Sequence, residues 1–231
     1  ARGFAAPLLL LFILGLVRRS RALALCALLA QSLFIPYILL PCLLASCLHL
    51  TAWRSGLVKD PPLLCGWRDA LACAAALFLA LAWQHGLGAA GFGPLPWLAD
   101  IAARPEFRAG GRLDLLPFPS LAWELFARPW AAFAPFHDSF AARIAFTCIA
   151  LPVLALGAWR INWRDLSPHA TGIAALAAAC LILYAVARLV AFKLFVPSRY
   201  LEYFTNICLT LSAAVALGAL LRPILARTPR G

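Results

Sequence analysis

The side chains best suited to binding an anion lie in the segment 188–202, near the carboxyl-terminal end of the chain. The candidate site residues are the donors Arg188, Lys193, Arg199 and Tyr200, together with the carboxylate of Glu202. Arg188 sits about one turn inside the end of an apolar stretch, where a charge costs roughly 2.5–3.5 kcal/mol in a membrane and therefore needs a partner. Guanidinium groups bind phosphate oxygens in pairs, which predicts a site for the phosphate of a lipid. The alternative is that the basic side chains only reach toward water and that Arg199 pairs with Glu202 at i,i+3.

A second group of charged residues lies in the segment 91–140. Its candidate site residues are Glu106, Arg108, Arg112 and Asp114. The carboxylates, together with Glu124 further along, could act as general bases, but their spacing specifies no mechanism. The segment is rich in proline and aromatic residues, so it could cap a substrate cavity. The alternative is a connector that lies along the membrane surface with its aromatic side chains at the interface.

The sequence contains no pattern that would hold a metal ion or a nucleotide cofactor. None of the eight cysteines forms a C-x-x-C pair, and none lies near a histidine at metal-ligand spacing. The sequence also contains no phosphate-binding loop, no dinucleotide-binding pattern and neither of the motifs H-E-x-x-H and G-x-S-x-G. We therefore predict no metal site and no identifiable cofactor, which disfavours a pump with its own ATPase, a metalloprotease or a serine hydrolase.

The elements that position these residues are predicted to be membrane-spanning helices. Hydrophobic residues make up 64% of the chain and charged residues 13%, whereas soluble domains are about half apolar and a quarter charged. The apolar residues occur in blocks rich in Leu and Ala without period-2 alternation, which favours helices over barrel strands. The net charge of +11 comes from basic clusters at the block ends. This placement is typical of membrane topology and argues against nucleic acid as a partner.

The fold class predicted is an all-α transmembrane bundle of about seven spans with one long extracytoplasmic loop. Three regions follow: N-terminal transmembrane helices over 1–90, an extracytoplasmic aromatic- and proline-rich loop over 91–140, and C-terminal transmembrane helices over 141–231. The block 22–53 is either two short helices broken near Pro36 and Pro41 or one kinked helix. Two crossings place the basic clusters on one side, as the positive-inside bias requires, so we prefer two.

Two resemblances point to a bacterial membrane protein. The segments Pro105–Arg112 (PEFRAGGR) and Pro197–Tyr200 (PSRY) resemble elements that occur together in uncharacterised bacterial polytopic proteins. More distantly, Pro197–Leu201 and Tyr37–Pro41 resemble elements of the GT-C glycosyltransferases. That resemblance implies a polyprenyl-phosphate-linked sugar as donor, with Arg199 and Tyr200 matching the motif. No proline follows Leu201, which departs from the pattern, and no catalytic aspartate matches.

We expect an integral protein of the bacterial inner membrane, with the lipid bilayer and a polyprenyl-phosphate lipid as partners. Since the chain begins at Ala1 and contains no Met, we expect it to be a fragment that lacks its true N-terminus. The resemblance to the GT-C glycosyltransferases then implies the carboxyl-terminal, carrier-binding half of such an enzyme. The alternatives are a transporter or flippase, which would place paired charges or broken helices at mid-membrane, and a non-catalytic assembly subunit.

Overall fold

The computed structural model describes residues 4–87, 104–105, 120–133, 139–160, 163–190 and 196–225, and over these ranges every regular element is helical. The predicted all-α class is therefore confirmed for this part of the chain. The helices are α1 (Ala5–Val17), α2 (Arg21–Phe34), α3 (Pro36–Arg54), α4 (Trp67–Leu87), a π-helical turn (Trp123–Ala127) running into α5 (Arg128–Phe133), α6 (Phe140–Arg160), α7 (Trp163–Val190) and α8 (Ser198–Leu225).

The block 22–53 forms two helices, α2 and α3, as the preferred interpretation predicted. The break falls at Ile35, whose φ of −150° and ψ of 72° lie outside the helical region. A proline disfavours the helical conformation in the residue before it and fits well at the start of a helix, so Pro36 ends α2 and begins α3. Pro41 does not break the chain and lies inside α3, where it has no N–H to donate to the Tyr37 carbonyl one turn earlier.

Close packing of α1 against α2 depends on small and polar residues. A Cβ added to Gly15 would lie 2.8 Å from the Ala24 backbone nitrogen, so only glycine allows this approach. Gln31 is fully buried in α2, and its Nε2 donates to the Leu8 carbonyl of α1 at 3.1 Å. The side chain thus forms the interhelical hydrogen bond expected of a polar residue within an apolar helix.

Three helices are long and apolar enough to cross a membrane among the residues that the structure describes. They are Pro36–Arg54, Ala170–Val190 and Ser198–Leu221. Three further apolar helical stretches, Ala5–Val17, Arg21–Phe34 and Ile144–Arg160, are shorter. Large apolar side chains such as Phe78, 70% exposed on α4, cover the outer surfaces of the helices, as lipid contact requires. These features indicate association with a membrane.

The chain divides into two compact units, and α7 and α8 contribute residues to both. The first comprises Ala1–Ser120 and Ser167–Phe204, and its buried residues come from α1, α2, α3, α4, α7 and the start of α8. The second comprises Leu121–Leu166 and Thr205–Gly231. Within the second unit, a Cβ on Gly157 would lie 2.6 Å from the Ala216 carbonyl oxygen, so a residue without a side chain is needed where α6 meets α8.

Candidate functional site: an arginine–tyrosine cluster

Two helices of the first unit, α3 and α8, begin next to a proline, and side chains of their first turns are in contact. Pro36 opens α3 and is followed by Tyr37, while Pro197 precedes α8 and is followed by Ser198 and Arg199. The α8 start is tightened by two short-range bonds, from Arg199 N to the Val196 carbonyl at 3.1 Å and from Tyr200 N to the Pro197 carbonyl at 3.2 Å. Proline thus fixes where each helix starts, and with it the residues that follow.

The contact between the two helix starts is a cluster of four side chains, Tyr37, Arg199, Glu202 and Tyr203, which we call the arginine–tyrosine cluster. The Arg199 guanidinium carbon lies 5.3 Å from the centre of the Tyr37 ring, within the range of a cation–π interaction. The rings of Tyr37 and Tyr203 stack with their centres 6.1 Å apart and their planes at 29°. The side chains of Tyr37 and Tyr203 also form a hydrogen bond, and Arg199 and Glu202 are close enough to act on Tyr37 electrostatically.

Although the Glu202 carboxylate belongs to the same cluster, Arg199 forms no ion pair within the described ranges. Its side chain is half-buried, and neither an ion pair nor a side-chain hydrogen bond engages its guanidinium there. The Arg199–Glu202 pair expected as an alternative is therefore not formed. A contact with an aromatic ring does not use the lone-pair acceptors that guanidinium N–H groups normally bind, so these groups can still donate to an anion. The positive ends of the α3 and α8 dipoles lie beside Arg199.

No family model, no curated protein and no solved structure matches this chain.

The other candidates from the segment 188–202 have different environments. Arg188 donates from Nη1 to the hydroxyl of Tyr184 at 3.2 Å, and its guanidinium carbon lies 5.6 Å from the centre of that ring. Tyr184 is thus an aromatic partner from the same helix, one turn earlier. Tyr200 is 2% exposed and therefore belongs to the core of the first unit rather than to an accessible surface. Lys193 lies outside the described residues.

The predicted loop candidates also lie outside the described residues, namely Glu106, Arg108, Arg112 and Asp114. Glu124 is described, and it is 2% exposed at the π-helical turn of the second unit. Arg128 donates from Nη1 to its Oε2 at 2.9 Å. The contact is a charge-assisted hydrogen bond between a buried carboxylate and a guanidinium. Glu124 thus forms an ion pair with a residue one helical turn later in the chain.

Two members of the cluster, Tyr37 and Tyr203, were not among the residues that the sequence nominated. Tyr37 stands in the proline-bracketed run that was singled out, but nothing in the sequence links it to Arg199, which is far away along the chain. Tyr203 lies four residues after Arg199, so both share one face of α8. That spacing is the one signal that could have drawn attention to it.

The side chains of the arginine–tyrosine cluster are suited to binding an anion. Over the described part of the chain, no group of three or more His, Cys, Asp or Glu side chains is placed to hold a metal ion. The guanidinium of Arg199 offers several donors to an anion with several oxygens, and the hydrogen-bonded pair Tyr37 and Tyr203 offers at most one further hydroxyl proton. Phosphate and carboxylate are the anions that match this arrangement.

Proposed function

We propose that this chain is a polytopic membrane protein that binds the phosphate group of a lipid at the arginine–tyrosine cluster. The observation that carries the proposal is Arg199, a half-buried arginine that lies over the Tyr37 ring and has no carboxylate partner among the described residues. Keeping a half-buried charge without an ion-pair partner is costly. A ligand anion would offset that cost, and the apolar helices beside the cluster would accommodate the lipid's hydrocarbon chain.

The proposed topology has seven spans, with 91–140 and 193–203 outside the cytoplasm and the basic clusters at 18–21, 54–68, 160–164 and 222–230 inside. The contact between Tyr37 and Arg199 supports the double crossing of 22–53. Two crossings bring position 37 to the outer face, where 193–203 also lies, whereas a single crossing would leave it near mid-membrane. The protein would then bind its lipid at the outer face of a bacterial inner membrane.

We propose further that the lipid is a polyprenyl phosphate and that the protein is a GT-C-like glycosyltransferase or its carrier-binding half. Support comes from the resemblance of Pro197–Leu201 and Tyr37–Pro41 to elements of those enzymes. These two segments, far apart in sequence, contribute Arg199 and Tyr37 to one contact. This contact supports the proposal, because two segments that act on one ligand are expected to lie together.

The test measures polyprenyl-phosphate binding by the purified protein in detergent, for example by native mass spectrometry. Replacing Arg199 with Gln removes the charge and the fork, and we expect binding to weaken about tenfold to a hundredfold, the value of hydrogen bonds to a charged group. Arg160→Gln is the matched control, since Arg160 is an exposed arginine at another helix end, and binding should be unchanged. Equal affinity of Arg199→Gln and the unmodified protein would falsify the site assignment.

Sugar transfer and lipid movement are then measured in vesicles that contain the full-length protein. Transfer from a polyprenyl-phosphate sugar that is lost in Arg199→Gln supports the transferase. Movement of the carrier lipid across the bilayer without transfer identifies a flippase instead. Binding without either activity identifies a carrier-binding subunit.

A further inference from the structure

A second site lies at the opposite end of α3 from Tyr37, where a cavity of about 310 Å³ separates α3 from the start of α4. One wall is a single face of α3, since Leu43, Cys47, Leu50 and Arg54 recur at helical spacing. The opposite wall is formed by Leu64, Cys65 and Gly66 and by Trp67, Asp69, Ala70 and Cys73 of α4. We call this cavity the α3–α4 groove. Its volume is at the lower end of the range for small-molecule sites.

The shape of the groove suits an elongated ligand. From Leu43 to Arg54 it follows α3 for eleven residues, which is about 16 Å at the helical rise of 1.5 Å per residue. The inner part is apolar, with Leu43 and Leu50 on the wall, and the charged and aromatic residues Arg54 and Trp67 lie toward the end of α3. A largely apolar groove with a basic residue at one end matches an amphiphile that has one hydrocarbon chain in the groove and an anionic group at the mouth.

The charge at the mouth selects for an anion. Arg54 is exposed and engages neither an ion pair nor a hydrogen bond through its side chain within the described ranges. Asp69 also lines the groove, but it is 6% exposed, and its Oδ2 accepts from Cys65 N at 3.1 Å and from Gly66 N at 2.9 Å. These bonds, together with the positive end of the α4 dipole, offset the carboxylate charge locally. Asp69 is therefore a structural part of the groove wall, and Arg54 gives the mouth its positive charge.

We infer that the α3–α4 groove binds an anionic phospholipid, with an acyl chain along α3 and the head-group phosphate at Arg54. Tyr37 and Arg54 are separated by 17 residues of one helix, or about 26 Å, close to the thickness of a hydrocarbon core. A single helix thus carries one anion site near each face of the bilayer. Basic pockets between helices at the cytoplasmic face commonly bind such head groups. This inference does not depend on carrier-lipid binding at Arg199.

Lipid binding in the groove can be measured through the reactivity of a cysteine thiol that lines it. Cys65 is exposed at the wall, so a bound lipid should slow its reaction with a maleimide. Cys26 and Cys148 are also exposed but do not line the groove, and they serve as internal controls. The labelling rates of the three thiols are compared by peptide mass mapping in mixed micelles of dodecyl maltoside with either phosphatidylglycerol or phosphatidylcholine.

We expect phosphatidylglycerol to slow labelling of Cys65 about fivefold more than phosphatidylcholine does, the effect of one basic residue on an anionic lipid. The rates at Cys26 and Cys148 should not change. Arg54→Gln should remove the difference between the two lipids. Arg68→Gln should retain it, because Arg68 is equally exposed but lies over the Trp67 ring at 5.4 Å and does not line the groove.

Two outcomes would overturn the inference. Equal protection of Cys65 by both lipids would show that the groove does not recognise an anionic head group. Unchanged protection in Arg54→Gln would show that the charge at the mouth plays no part. Native mass spectrometry of protein extracted from mixed vesicles gives an independent result, in which the unmodified protein retains phosphatidylglycerol preferentially and the Arg54→Gln protein does not.

Discussion

Arg128 and Arg199 are both half-buried arginines near the start of a helix, and they differ in the group that lies beside each. Arg128 is 2.9 Å from the carboxylate of Glu124, which is 2% exposed. Arg199 lies over the ring of Tyr37, 5.3 Å from its centre, with no ion pair within the described ranges. An arginine with its own buried carboxylate has a complete internal partner, whereas one over a ring keeps its N–H edge for another anion.

The comparison separates two reasons for placing a charge in an apolar protein. The Glu124–Arg128 pair lies at a π-helical turn, a rare interruption of an α-helix. Removing one partner would leave the other charge buried alone. At Arg199 the structure already tolerates a charge without a carboxylate, so that residue can be changed with little effect on folding. Stability and ligand binding should therefore respond oppositely at the two sites.

The largest expected effect is on stability, from Arg128→Met. This change leaves the Glu124 carboxylate buried without its partner. We expect the free energy of unfolding to fall by about 3 kcal/mol. This is the low end for a broken buried pair, because the Arg128 side chain is 37% exposed. Thermal and denaturant unfolding in detergent measure it.

The control for this prediction removes both charges. In the double variant Glu124→Gln, Arg128→Met no charge is left unpaired, so more than half of the lost stability should return. A single Arg128→Met variant as stable as the unmodified protein would contradict the view of this pair as structural, and the distinction from Arg199 would lose its basis.

An intermediate effect is expected from Tyr37, whose ring is shared between Arg199 and Tyr203. Tyr37→Leu removes the stacking and the cation–π interaction, and we expect a loss of about 1–2 kcal/mol in stability together with weaker binding of polyprenyl phosphate. Tyr37→Phe keeps the ring and should keep most of the stability. If both variants lose the same amount, the hydroxyl rather than the ring holds the cluster together.

Local features of this site were readable from the sequence because they depend on neighbouring residues. The start of α8 after Pro197 and the separation of α2 from α3 at Pro36 follow from the geometry of proline. The contact of Arg199 with Tyr37 does not, because it depends on how α3 and α8 pack. The same holds for Glu124, which the sequence placed in an interfacial segment with other acidic residues and which the structure buries beside Arg128. Its spacing to Arg128 is compatible with a pair, but spacing alone gives no burial.

The smallest expected effect on stability comes from Arg199→Gln. This variant decides whether Arg199, unlike Arg128, is dispensable for folding. Because no carboxylate depends on Arg199 within the described ranges, the variant loses only a cation–π interaction, and we expect the free energy of unfolding to change by about 1 kcal/mol or less. Arg199→Lys should be similarly stable but bind the lipid phosphate less tightly, since an ammonium lacks the planar fork.

Unfolding in detergent without added lipid measures the intrinsic stability. Added polyprenyl phosphate should then raise the melting temperature of the unmodified protein but not of Arg199→Gln. A loss as large as that of Arg128→Met in the absence of lipid would mean that Arg199 is needed for folding, and the missing ion pair would no longer argue for a ligand.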